Sequence, residues 1–190
     1  ATARPEPAHG AEADPAGPDP ADADIRIAPV EGAQRDAMAQ ATAWAVTQLG
    51  DQVRAHRAPA GLLLDRWEQL LADATGLYGR GAVLDDDQAA TLSVLLAQPW
   101  LRAASVRDAG DPATQVRLWT DLTARAQPPY VVAPATLLAL AAVRAGDRRL
   151  ARAAVRRALS CQPDDALAQV LSRGLAHGLS AADVEALLED

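Results

Sequence analysis

At 190 residues the chain is long enough for one domain and a tail. Its net charge of −7 argues against a protein that coats nucleic acid, because affinity for the phosphate backbone comes largely from Lys and Arg. Phe, Lys and Asn are absent, all 18 basic residues are Arg, and the alphabet is rich in the strong helix formers Ala, Leu, Arg and Glu while strand formers are scarce.

The first thirty residues hold Pro5, Pro7, Pro15, Pro18, Pro20 and Pro29 together with Glu6, Glu12, Asp14, Asp19, Asp22 and Asp24, and almost no large apolar side chain. Such a segment buries too little surface to offset its ordering entropy, so residues 1–30 are expected to form a disordered acidic tail and residues 31–190 a single α-helical domain.

Helical periodicity begins with Met38, Ala41, Ala45, Leu49 and Val53, and Gly50 and Pro59 are expected to limit that helix. Leu63, Trp67, Leu70, Leu71, Ala74 and Leu77 form the face of a second helix, closed by Gly76, Gly79 and Gly81. Asp85, Asp86 and Asp87 stand where a cap and first turn belong, ahead of Leu92, Leu95 and Leu96. Pro99 opens a short helix through Trp100 and Ala104, and Asp111 with Pro112 reads as the cap and first position of a helix carrying Val116, Trp119, Leu122 and Ala126.

The longest uncharged stretch, Ala126 to Val143, is interrupted by Pro128, Pro129 and Pro134, and its apolar part falls short of the ~20 residues of a membrane span. It is expected to be an extended connector around Tyr130, Val131 and Val132 followed by a core helix from Pro134 to Gly146. Asp147 caps a partner helix with Leu150, Ala154, Val155 and Leu159, which makes a helical hairpin over residues 134–163. Two further helices follow Pro163, the last opened by Ser180 with Asp183 three residues on. The fold class is therefore all-α, a bundle of about nine helices.

The hairpin has the spacing of a tetratricopeptide repeat: Leu138 and Ala139 at packed positions, Gly146 at the turn, Ala151 and Ala158 at small positions, and Pro163 at the end. Ala135 and Ala142 stand where that pattern prefers larger residues. Beyond Pro163, Gln169, Ser172 and Arg173 break the register, so no array of repeats is indicated.

Val106-Arg107-Asp108, Leu118-Trp119, Pro128-Pro129-Tyr130, the run from Ala133-Pro134-Ala135 into Leu137-Leu138-Ala139, Gly146-Asp147, Arg157-Ala158-Leu159 and Pro163-Asp164 together set a further pattern. In their order and spacing they resemble the C-terminal helical half of the domain of unknown function 4192 family of high-GC Gram-positive bacteria, over roughly residues 62–188. The resemblance implies no activity or ligand. Members usually carry an N-terminal α/β-like portion, whose place here is taken by the acidic tail.

Arg144, Arg148, Arg149, Arg152 and Arg156 crowd the hairpin, three of them at four-residue spacing on its second helix. They read either as a solvated face or as a surface for an acidic partner, and the acids of the tail offer it a weak intramolecular cover. No aromatic residue lies among them, which disfavours single-stranded nucleic acid.

The three aspartates at 85–87 lack the Gly and Glu of a calcium loop, having Ala90 and Leu96 in those places. His56 and His177 are isolated from other metal ligands, and Cys161 sits at a helix C-terminus, where the dipole opposes a thiolate. The four tryptophans read mainly as packing residues, with one available to line a groove. Arg107 and Asp108 read either as a catalytic or recognition pair or, since adjacent residues on a helix do not face one another, as a buried structural ion pair with other helices.

Phosphate loops, Ser-centred elbows and paired acids with a nearby base are missing from the sequence. The expectation is thus a non-enzymatic helical scaffold or protein-interaction module with no metal or cofactor. The single cysteine and the lack of a signal-like opening suggest the cytoplasm. Two alternatives remain: the helical part of a larger enzyme whose chemistry lies outside this chain, and a nucleic-acid-associated regulator using the arginine face.

Overall fold

The computed structural model describes residues 25–107 and 110–189, with side chains through Ala186. Among these the chain is all-helical, with nine helices and no strand: α1 (Gly32–Ala55), α2 (Pro59–Gly79), α3 (Asp86–Leu95), α4 (Pro99–Val106), α5 (Pro112–Arg125), α6 (Val132–Arg144), α7 (Arg148–Cys161), α8 (Ala166–Ala176) and α9 (Ala181–Glu189). No described helix is long and apolar enough to cross a membrane.

Aspartates cap four of the nine described helices, because a carboxylate satisfies N–H groups that have no partner within the helix. Asp85 accepts from the Gln88 N–H at 2.8 Å while Gln88 reaches back to the Asp85 N–H at 3.2 Å, a capping box. Asp111 accepts from the Thr114 N–H at 2.8 Å with Pro112 at the first helical position, and Asp147 accepts from the Leu150 N–H at 2.9 Å. Ser180 and Asp183 cap α9 reciprocally.

Two boundaries differ from expectation. The first helix runs straight through Gly50 to Ala55, since a helical glycine costs only about 1 kcal/mol against alanine and the buried Leu49 and half-buried Val53 on either side keep the turn packed. The second departure concerns Tyr130–Val132, which is a turn entering α6 and not an extended connector. Val131 is already in the right-handed helical region (φ −71°, ψ −22°), and Pro134 is tolerated in the first turn because its missing N–H would have had no acceptor there.

The helix α6 is buried almost all round, from Val132 through Val143 except Leu140, and touches α4, α5, α7, α8 and α9. A helix with no polar face belongs at the centre of a core. Ala135, Ala139 and Ala142 on α6 and Ala151, Ala154 and Ala158 on α7 are all fully buried; such short side chains let two backbones approach closely. Gly146, at φ +78°, supplies the left-handed residue that turns one helix into the other.

Around this hairpin, α5 packs on α6 and α8 on α7, while α1 lies mainly on α3 and α2 bridges α3 and α5. Residues 25–30, outside any helix, lie against this body: Ile27 and Val30 pack on the core and the Val30 N–H donates to the Ala124 carbonyl at 2.9 Å. The acids expected to form the tail, Glu6 to Asp24, lie outside the described residues.

Candidate functional site

Arginine side chains on the hairpin separate into tethered and exposed groups. Arg144 Nε donates to Glu185 on α9 at 2.7 Å, so this guanidinium joins α6 to the C-terminal helix. Arg152 is half-buried, whereas Arg148, Arg149 and Arg156 are exposed. Arg156 also reaches the Ile25 carbonyl at 3.4 Å, which places the first described residue of the chain beside this face. The apolar side of α7 is built from Ala151, Ala153, Ala154, Val155 and Ala158, opposite the cations, as amphipathic spacing requires.

A cavity of about 330 Å³ opens between α7 and α8. Val155, Leu159 and Leu175 give it an apolar lining, and Arg152 and Arg156 add two cationic groups.

A second and larger cleft, about 910 Å³, lies between α1, α2 and the start of α3. It arises because α1 and α2, joined by only a short connection, make few contacts with each other while each packs on α3. Trp44, Gln48 and Gln52 of α1 and His56, the residue that follows it, line it at four-residue intervals. Asp65, Arg66 and Gln69 line it from α2, and Asp85 and Asp87 stand at the α3 end. Trp44 is 60% exposed, unlike Trp67 and Trp119, which are buried with their indole N–H groups bonded to Ser105 and Gln115. Trp100, at the start of α4, is also partly exposed.

A buried polar network, which sequence reasoning missed, ties the bundle together. Arg125 donates to the Leu84 carbonyl at 2.9 Å, to Asp121 at 2.9 Å and to Asp86 at 2.6 Å, and Tyr78 donates its hydroxyl to Asp121. Burial, reinforced by the bond to Asp121 and its charge, pushes the Tyr78 phenol well above its ordinary range. Burial opposes the charge of Arg125, but Asp121 and Asp86 more than compensate and raise its pKa. Asp121 and Arg125 are four residues apart, a spacing visible in the sequence; the long-range partners Tyr78, Leu84 and Asp86 were not. A second missed pair joins Arg102 of α4 to Asp165, the buried cap of α8, at 2.8 Å.

Other anticipated pairings resolve differently. Arg107 is exposed, so it serves no buried ion pair, and Asp108 lies outside the described residues. Asp86, expected only as a capping-turn residue, is engaged by Arg125. His56 lines the larger cleft, while the His177 ring sits 2.8 Å from the Arg173 carbonyl at the end of α8. Cys161 is half-buried at the last position of α7, 4.0 Å from the Ser160 hydroxyl. Among the described residues, no group of three or more His, Cys, Asp or Glu side chains is placed to hold a metal ion.

Neither the curated proteins nor the solved structures contain a match to this chain. The sequence profile of one family, described only as a domain of unknown function (DUF4192), matches residues 8–182 and thus takes in more than the helical half to which the motifs pointed. The chain belongs to the DUF4192 family.

Proposed function

We propose that this protein is a non-enzymatic helical interaction module, in which the tetratricopeptide-like hairpin α6–α7 supports a docking surface for an acidic segment of a protein partner. The observation that carries this reading is the α7–α8 cavity, where Val155, Leu159 and Leu175 offer an apolar floor beside the guanidinium groups of Arg152 and Arg156. Arg148 and Arg149 extend the positive surface about one turn beyond Arg152, to the start of α7. An acidic segment with one or two apolar side chains satisfies both features, because guanidinium groups pair with carboxylates in a planar two-bond geometry and the floor buries the apolar anchor. A phosphate backbone fits less well, since no aromatic stacking platform lies among these arginines and the net charge of −7 opposes it.

The test compares the whole chain with an Arg148→Glu/Arg156→Glu variant as bait in a native lysate, with retained proteins identified by mass spectrometry. Both side chains are exposed, so the variant is expected to keep the parent's circular dichroism and melting temperature. A partner retained by the parent, lost from the variant and released by added salt supports the reading. Identical retention by both baits would refute it.

A further inference from the structure

The cleft between α1, α2 and α3 is separate from the arginine surface and has the opposite charge. We infer that it receives a basic amphipathic segment of another protein, with an Arg or Lys placed over the face of Trp44 and the carboxylates of Asp65 and Asp87 within reach of its cations.

Size and length come first. The cleft volume of about 910 Å³ is at the upper end of the roughly 300–1,000 Å³ of small-molecule sites. Its lining along α1 and its C-cap runs from Trp44 to His56, which at ~1.5 Å per residue is a trough about 18 Å long. That is the length of a three-turn helix or a short extended peptide, laid along two helices as in helix-in-groove recognition.

Charge sets the chemistry of the occupant. The cleft lining holds three carboxylates, those of Asp65, Asp85 and Asp87, and one guanidinium, that of Arg66. Asp85 is occupied in capping α3, but Asp65 and Asp87 are exposed and form no ion pair among the described residues. A phosphate or carboxylate ligand would be repelled, while a cation would gain from each carboxylate.

Trp44 then sets the geometry. Its indole stands more than half exposed at the cleft, in a protein that buries Trp67 and Trp119 and satisfies their N–H groups. An indole face attracts a guanidinium or ammonium more strongly than any other side-chain ring. The neighbouring Leu49 and Leu62 add the apolar contact that an amphipathic segment needs beside its cations.

The occupant is expected to come from another protein. Residues 1–24 of this chain carry Glu6, Glu12, Asp14, Asp19, Asp22 and Asp24 against Arg4 alone, so they would meet the cleft with like charge.

The experiment pans a displayed library of random peptides of about twelve residues, long enough to span the trough as a helix, against the whole chain. The library is first depleted on a Trp44→Ala/Asp65→Asn/Asp87→Asn variant. These three side chains are exposed, and an unchanged melting temperature establishes that the variant is folded. Enrichment of peptides combining Arg or Lys with apolar residues is expected. A synthetic copy should bind the parent about tenfold or more tightly than Trp44→Ala alone, and weaken as salt is added. Enrichment of acidic peptides, no enrichment, or equal binding to parent and variant would each overturn the inference. Concentration-dependent self-association that disappears in the triple variant would overturn it too, because the occupant would then be a second copy of the chain.

Discussion

Replacing Arg125 by Met tests whether the buried polar network holds the bundle together. The Arg125 side chain is 5% exposed and bonds the Leu84 carbonyl, Asp121 and Asp86, joining α5 to the approach and first turn of α3. Methionine keeps most of the aliphatic volume but removes all three bonds. Leu84 is buried, so its carbonyl stays unsatisfied at a cost of about 1–3 kcal/mol. Asp121 and Asp86 are 27% and 42% exposed, so water replaces much of what they lose, and their loss contributes about 1 kcal/mol together. Relief of the buried guanidinium's desolvation offsets part of this, all the more because its Nε makes no hydrogen bond.

The net expectation is a loss of about 2 kcal/mol. For a domain of this size that corresponds to a melting temperature lower by roughly 4–8 °C. Urea unfolding followed by far-ultraviolet circular dichroism measures it. Arg54→Met is the internal control, because the Arg54–Asp51 pair is mostly exposed and its loss should change stability by no more than about 0.5 kcal/mol. An Arg125→Met cost below about 1 kcal/mol, or one equal to the control, would refute the reasoning.

Two further outcomes follow from the core. Leu138 is fully buried at the centre of α6, so Leu138→Asp should cost about 4 kcal/mol or more by removing apolar burial and leaving a charge without a partner; near-parental melting would show that α6 is not the central helix. The raised pKa of Tyr78 means that the folded state favours the neutral phenol, so its contribution is complete below the unfolded pKa of about 10 and fades as pH rises beyond it. Tyr78→Phe should therefore be less stable than the parent near neutral pH but lose less stability above pH ~10 in urea titrations; parallel loss in both proteins would assign the alkaline transition to another group.

Local signals in the sequence carried the helices because the physics that starts and stops them is local. Asp85, Asp111, Asp147 and the Ser180–Asp183 pair cap where their spacing said they would. Gly146 turns the hairpin, and the apolar run after Pro134 is the buried helix that its lack of charge implied. Gly50 misled because glycine's modest helix penalty is smaller than the packing of its neighbours. The long-range arrangement was not legible: nothing local says that Asp86 meets Arg125, thirty-nine residues away, or that Arg102 meets Asp165. The larger cleft was invisible for the same reason, since it exists only because α1 and α2 splay over α3. Trp44 looked like the other tryptophans until its partner helices were in place.

The burial of α6 also limits where a partner can bind. In an extended tetratricopeptide array each hairpin offers its first helix to a shared concave surface, and that surface is what a partner enters. Here α6 is covered by α4, α5 and α9 as well as by α7 and α8. The hairpin therefore acts as the spine of a closed bundle, with no concave face of its own. Of its two helices only α7 reaches solvent along a continuous side, and the cleft of about 910 Å³ lies away from it, between α1, α2 and the start of α3. A binding module built on this spine is thus confined to its outer helices, and those carry opposite charge: arginines on α7, and aspartates from α2 and α3 with Trp44 in the cleft. On the two proposals above, opposite charge on separate elements would let two different segments be engaged at once, one acidic and one basic. Each surface disfavours the other's ligand by like-charge repulsion, which is how charge supplies specificity as well as attraction.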